Sequence, residues 1–156
     1  IFWEKATGHA MSAVGAATGA VVGLVAITPA AGFVSPAYAI VIGVLGATAS
    51  FWAVQSERFF KVDDVLDVFA CHGVAGIVGA ILTGAFAFST GSGKENVFEQ
   101  VQIQTVGVVA TIVYAAVGTF IIIKLIDLVM GIRLAKDDEL QGVDIINHEE
   151  SAYTNK

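Results

Sequence analysis

Formal charge is missing from three long runs of this chain: between Lys5 and Glu57, between Asp67 and Lys94, and between Glu99 and Lys124. A helix needs roughly 20 mostly apolar residues to cross the hydrocarbon core of a bilayer. The first run has room for two such spans, and each of the others for one. Only 14% of the residues are charged and 56% are hydrophobic, whereas a soluble domain carries about 25% charge. The chain therefore reads as an all-α integral membrane protein with four transmembrane helices.

The spans are expected at about 11–27, 37–54, 68–87 and 101–129. Gly15, Gly19 and Gly23 recur every four residues in the first, a small-residue stripe on which another helix can close. Ile27-Thr28-Pro29 ends that span, because the residue before proline disfavours the α region. Residues 1–133 form the membrane portion and 134–156 a tail that carries much of the net charge of −6. With four spans, both termini share one side of the membrane. That side holds Lys5, Arg58, Lys61, Lys124, Arg133, Lys136 and Lys156, against Lys94 alone on the other. The positive-inside rule then places both ends in the cytoplasm. The single cysteine, Cys71, allows no disulfide within the chain. The opening IFWEKATGHA lacks the order of a targeting segment and does not begin with Met, so the chain reads as a C-terminal piece of a longer protein.

One residue is out of keeping with its span. In DDVLDVFACHGVAGIVGAILTG, residues 63–84, His72 stands among small and apolar side chains. On a regular helix it shares a face with Val68 and Phe69 behind it and with Ala75, Gly76 and Gly79 ahead. Two readings stay open: a histidine that hydrogen-bonds a neighbouring helix, or one that lines a narrow polar path. An ionisable group is costly inside a membrane, which favours a cavity or a polar partner. Imidazole can donate at one nitrogen and accept at the other, which suits a proton relay or a weak base. Asp63 and Asp64 are expected to cap this span and favour its dipole. Asp67 lies deeper, where it can hold a partner near the mouth of such a path. Thr18 and Thr83 read as packing hydroxyls, with a lining role as the alternative, and Trp52 as an interfacial or core ring. The spans offer no serine–histidine–carboxylate group and no second metal ligand near His72. Neither an enzyme, a metal, a cofactor nor a nucleic-acid partner is expected.

Four blocks together resemble the ammonium transporter (Amt/Mep/Rh) family, on its Amt side. They are GAATGAVVGLVAITPAAGFV at 15–34, KVDDVLDVFACHGVAGIVGAILTG at 61–84, KLIDLVMGIRL at 124–134 and GVDIINHEESAY at 142–153. The resemblance implies the last four of eleven helices, in a homotrimer of the plasma (inner) membrane with one pore per subunit and cytoplasmic C-termini. It implies transport of ammonium or ammonia through a hydrophobic pore that contains two histidines. His72 matches the second of these, with Val68 and Phe69 close to the pore wall and Asp67 in a structural role. Gly131, Arg133, Gly142 and Asp144 match the family's tail, which couples subunits and in many prokaryotes meets a PII-type regulatory protein. His148-Glu149-Glu150 departs from the family's usual HGE. The first pore histidine belongs to the half of the family's sequence that is absent here. The alternative function is an ammonium sensor on the same scaffold, signalling through its tail.

Overall fold

A computed structural model of the chain describes residues 1–61 and 63–150, apart from the side chains of residues 57–59. The Arg58 side chain and Lys156, both used in the charge count, lie outside the described residues, as do Val62 and residues 151–153 of two matched blocks. The chain divides into two units, residues 1–111 and 112–156, which are taken in turn.

The elements follow from local sequence. A short helix α1 (Phe2–Ala6) precedes α2 (Ala13–Ile27). Ser12 caps α2: its Oγ accepts from the Gly15 N–H at 2.8 Å and donates to Glu4 Oε1 at 2.8 Å. Pro29 turns the end of α2 into a 3-10 segment, Thr28–Ala30. Pro36 opens α3 (Pro36–Phe60), where its missing N–H would have had no helical partner. A π-helical turn, Phe69–Val74, leads into α4 (Ala75–Phe86), which closes in a 3-10 segment, Ala87–Thr90. Next comes α5 (Val97–Met130), with α6 (Lys136–Gln141) and α7 (Val143–His148) in the tail. Among the described residues four stretches are long and apolar enough to cross a membrane: Ala13–Ala30, Pro36–Ser56, Phe69–Thr90 and Val97–Met130. The four-span reading of the sequence holds. The first and third begin two and one residues later than expected; the other ends overrun the expected bounds, because helical geometry continues into 3-10 turns and past the apolar stretch, where hydropathy alone stops.

In the first unit α2, α3 and the π-turn with α4 pack around Val22, Ala26, Ala30, Ile42, Cys71 and Ala75. Most of these side chains are small. Lipid tails are as apolar as leucine, so helices in a bilayer associate by close approach more than by hydrophobic burial. The approach is tightest at Ala26, which is 0% exposed. A Cβ placed on Gly46 would run into the Ala26 methyl, and one on Gly79 into the Ala26 carbonyl. The core-facing row is therefore Val22 and Ala26 of α2 with Ala30 of the 3-10 segment, one position round from the glycine stripe. Gly19 and Gly23 have open space where a Cβ would stand. Gly15 is crowded by the Glu4 and Ser12 side chains, and not by another membrane helix.

The ends of this unit are also tied. Ser35 N–H donates to Ser89 Oγ (3.0 Å) and Thr90 Oγ1 donates to the Phe33 carbonyl (2.8 Å), joining two links at one end. Tyr38 stacks on Phe86 beside them, with ring centroids 4.6 Å apart. At the other end Trp3 Nε1 donates to Thr48 Oγ1 (3.1 Å), and its ring meets those of Phe51 and Trp52.

The second unit holds the end of α5 and the tail. Gly131, with φ +71°, stops α5 in a left-handed conformation that a side chain would resist. Gly142 separates α6 from α7 at φ +103° and ψ 128°, a region essentially closed to other residues. Among the described residues the tail, which shows no sustained periodicity in sequence, holds two helices of six residues each.

The nature of each clash at Ala26 makes a specific prediction. Gly46→Ala and Gly79→Ala should each destabilise the full-length protein by about 1–3 kcal/mol, as overpacking does. Adding Ala26→Gly should relieve Gly46→Ala, whose obstacle is a methyl group. It should leave Gly79→Ala unrelieved, because there the obstacle is backbone. Thermal denaturation in detergent, followed by size-exclusion chromatography, checks both arms.

Candidate pore site

His72 sits in the π-turn FACHGV, and the stretch before it explains why a turn of that kind forms there. Lys61 and residues 63–67 are not a continuation of α3. Lys61 and Asp67 both have positive φ, 55° and 50°, so the chain reverses sharply at each. Between them the Asp67 N–H donates to the Asp64 carbonyl (3.1 Å), closing a four-residue turn. The Asp64 carboxylate reaches over this turn, and its Oδ2 accepts from the Phe69 N–H at 2.7 Å. The Asp67 carbonyl takes the Cys71 N–H at 2.9 Å. Of the two aspartates expected to cap the span, Asp64 has the bond to the helix backbone; Asp63 is exposed.

The π geometry decides which residues face inward. An α-helix advances about 100° per residue, and i→i+5 bonding cuts this to about 80°. Counted back from the buried Ala75, continued α geometry would turn Val68 to within about 20° of the core and swing Ala70 about 140° away from it. The wider turn instead puts Ala70 and Cys71 each about 40° from the core direction, and Val68, Phe69 and His72 at least about 120° from it. Burial follows the second pattern. Ala70 is 0% exposed and Cys71 6%, while Val68 is 48% and Phe69 61% exposed, and His72 is exposed beside them. Val68 and Phe69 thus share the outward face with His72. Ala75 and Gly79, expected on that face from regular helical spacing, are buried in the core. The five-residue step from Ala70 to Ala75, both fully buried, is the sequence signal that α periodicity overlooks.

The turn is also held from behind. Buried Ser50 of α3 donates from Oγ towards Cys71 Sγ at 3.9 Å. Ser50 lies six residues before Ser56, where the apolar stretch of α3 ends. At 1.5 Å per residue this sets the turn about 9 Å inside that boundary. The Phe69 ring folds back over Gly73, whose missing side chain makes room for it: a Cβ there would stand 3.1 Å from ring carbon Cδ2. The outward face therefore carries one imidazole, a valine and an aromatic ring, within an apolar span.

The other sequence candidates stand elsewhere. Thr18 is exposed on α2, so its hydroxyl is not packed within this unit, whereas Thr83 is buried and donates to the Gly79 carbonyl at 2.8 Å. Trp52 is half-exposed in the ring group with Trp3 and Phe51. In the second unit Arg133 pairs with Glu139 at 3.3 Å, an exposed contact worth at most about 1 kcal/mol. Asp144 lies in the first turn of α7, and its carbonyl accepts from the Glu150 N–H at 3.1 Å. A shallow groove of mixed polarity runs beside Gly131 and Arg133, with Glu139 and Asn147 as well as Met130 and Val143 in its lining.

Four membrane-length helices, with a histidine turned outward from the core that three of them pack, define a polytopic membrane protein with a polar element at membrane depth. Sequence comparison names the family. The profile of the Ammonium Transporter Family matches residues 1–153. The chain is 42% identical over 146 residues to an ammonium transporter of Bacillus subtilis, covering 89% of this chain and 36% of that protein. It is 44% identical over 145 residues to an ammonium transporter of Aquifex aeolicus, covering 90% and 34%. A third relative, ammonium transporter Amt1 of Archaeoglobus fulgidus, is 38% identical over 144 residues, covering 90% and 37%. The chain belongs to the ammonium transporter family, and it spans about a third of the length of these relatives.

The Asp64 bond has a pH signature. The backbone N–H of Phe69, then those of Val68 and Leu66, hold its carboxyl below the ordinary value of about 3.9. A depressed carboxylate contributes stability that is present above the unfolded value and lost as pH falls through the folded one. Protection of the Phe69 amide against hydrogen exchange should therefore hold from neutrality to about pH 4 and fall only in more acid solution. Exchange that is already rapid at pH 7 would contradict the bond.

Proposed function

We propose that this chain forms part of the wall of an ammonium-conducting pore, with His72 as its polar element and Val68 and Phe69 beside it. The observation that carries the reading is the outward arc of the π-turn. His72, Phe69 and Val68 are turned away from the packed helices, at a depth where an imidazole facing lipid would be costly. The remaining two thirds of a relative's length is the natural source of an opposing wall, including a second histidine to pair with His72.

The chemistry follows from cost. A bare cation is expensive to move through an apolar passage, and a neutral ammonia molecule much less so. Separating the proton from the nitrogen lowers the barrier. An imidazole can take a proton at one nitrogen while donating from the other, so a histidine pair can accept that proton and pass it on. The flanking Phe69 and Val68 would exclude water and larger polar solutes.

The same reading supplies the setting. The protein is a plasma-membrane (inner-membrane) homotrimer, and both ends of this chain lie in the cytoplasm, in keeping with seven of the eight lysines and arginines on that side. The tail about Gly131, Arg133, Gly142 and Asp144 then lies where a neighbouring subunit or a PII-type regulatory protein can meet it.

In the full-length protein His72→Ala should reduce methylammonium uptake by at least about tenfold or let it become uncoupled from selectivity, since removing a positioned proton-handling group typically costs 10²–10⁴ in rate. Trimers should still assemble. Unchanged uptake together with unchanged selectivity against potassium would remove His72 from the pore.

A further inference from the structure

We propose that Asp64 is a positioning residue for His72: its carboxylate caps the π-turn and holds it in the register that turns Val68, Phe69 and His72 outward together. The functional consequence rests on the reading of His72 as a pore residue. The positioning itself does not.

A π-turn is rare because its backbone bonding is poorer than that of an α-helix, and it persists where the surroundings impose it. The first N–H groups of a helix lack an internal partner, and here the Cys71 N–H is the one that reaches back to the Asp67 carbonyl, so the amides before it call for a cap. Those groups lie at the entry to an apolar span, where an unpaired donor is penalised. Asp64 meets that need. Its Oδ2 accepts from the Phe69 N–H at 2.7 Å, a charge-assisted bond to the first residue of the π-turn. Its own carbonyl accepts from the Asp67 N–H at 3.1 Å, so the same residue closes the turn that delivers the chain to the helix. The positive φ of Asp67, 50°, lies between these two bonds and is maintained by them. On the far side Ala70 and Cys71 are buried, with Ser50 against Cys71. The turn is thus clamped by Asp64 in front and by small-residue packing behind.

Release of the front clamp has a definite alternative state. If the segment relaxes to α geometry, Val68 rotates inward and Ala70 outward, and His72 moves from about 120° to about 60° from the core direction. Positions 68 and 70 exchange exposure, a change that general loosening of the fold would not produce.

The test uses the full-length protein with its native cysteines replaced, including Cys71→Ala, and single cysteines introduced as Val68→Cys or Ala70→Cys. A small cationic methanethiosulfonate reports accessibility. With Asp64 present, position 68 should react at least about tenfold faster than position 70. Asp64→Ala should abolish or invert that ratio, and Asp64→Asn, which keeps an acceptor oxygen, should restore it. Methylammonium uptake should fall with Asp64→Ala and recover with Asp64→Asn. If Asp64→Ala does not assemble, Asp64→Ser, whose hydroxyl is too short to reach the Phe69 N–H, should show the same loss of contrast. An unchanged ratio in an assembled Asp64→Ala or Asp64→Ser protein overturns the proposal, and so does an Asp64→Asn protein that behaves like Asp64→Ala. The two readings separate. If His72→Ala transports normally while the ratio still depends on Asp64, the pore role falls and the positioning stands. If His72→Ala stops transport and the ratio ignores Asp64, the positioning falls alone.

Discussion

Everything in the first unit depends on how closely two glycines approach Ala26. Gly46 of α3 and Gly79 of α4 both close on this one residue of α2, one against its methyl and the other against its carbonyl. In a bilayer such contacts replace the hydrophobic drive that packs soluble helices, so they set the spacing of all three. Once α4 is locked to α2 at Gly79, the turn that precedes α4 has a defined inner side. Ala70 and Cys71 fill it, and the outer side follows by geometry.

The outer side carries the polar residue of the span. Asp64, the reversal at Asp67 and the wide turn from Phe69 to Val74 act together on one result. They gather an imidazole, a phenyl ring and a valine onto an arc facing away from the chain's own core. A regular helix would have divided these residues, with Val68 inward. Local strain at Asp67 is thus part of the site's construction, as backbone outliers near functional positions often are.

Much of this was legible in advance. The three uncharged runs sufficed for four membrane-length helices, because charge is too costly to place in hydrocarbon wherever it is not needed. His72 stood out for the same reason, and a capping role for Asp64 followed from helix electrostatics. The stripe of Gly15, Gly19 and Gly23 shows where a helix can approach and not which neighbour arrives: within this chain α3 nears it where Gly43 faces Gly23. Gly46 and Gly79 lie on different helices from Ala26, and no local pattern links them. The two tail helices leave no periodic signal in the sequence, because six residues are too few to show one.

The amino-acid sequence by itself determined the solvent of this protein, the number of its spans, its family and the identity of its polar residue. Charge, hydropathy and motif are properties of neighbours along the chain, so a linear reading captures them. Only the tertiary structure decided which way His72 faces. That choice depends on about 20° per residue of helical unwinding over a single turn. The unwinding is imposed by a carboxylate five residues away from the amide it holds and by packing against helices far off in sequence. Direction is a property of the assembled backbone, and it appears only when those distant partners are in place.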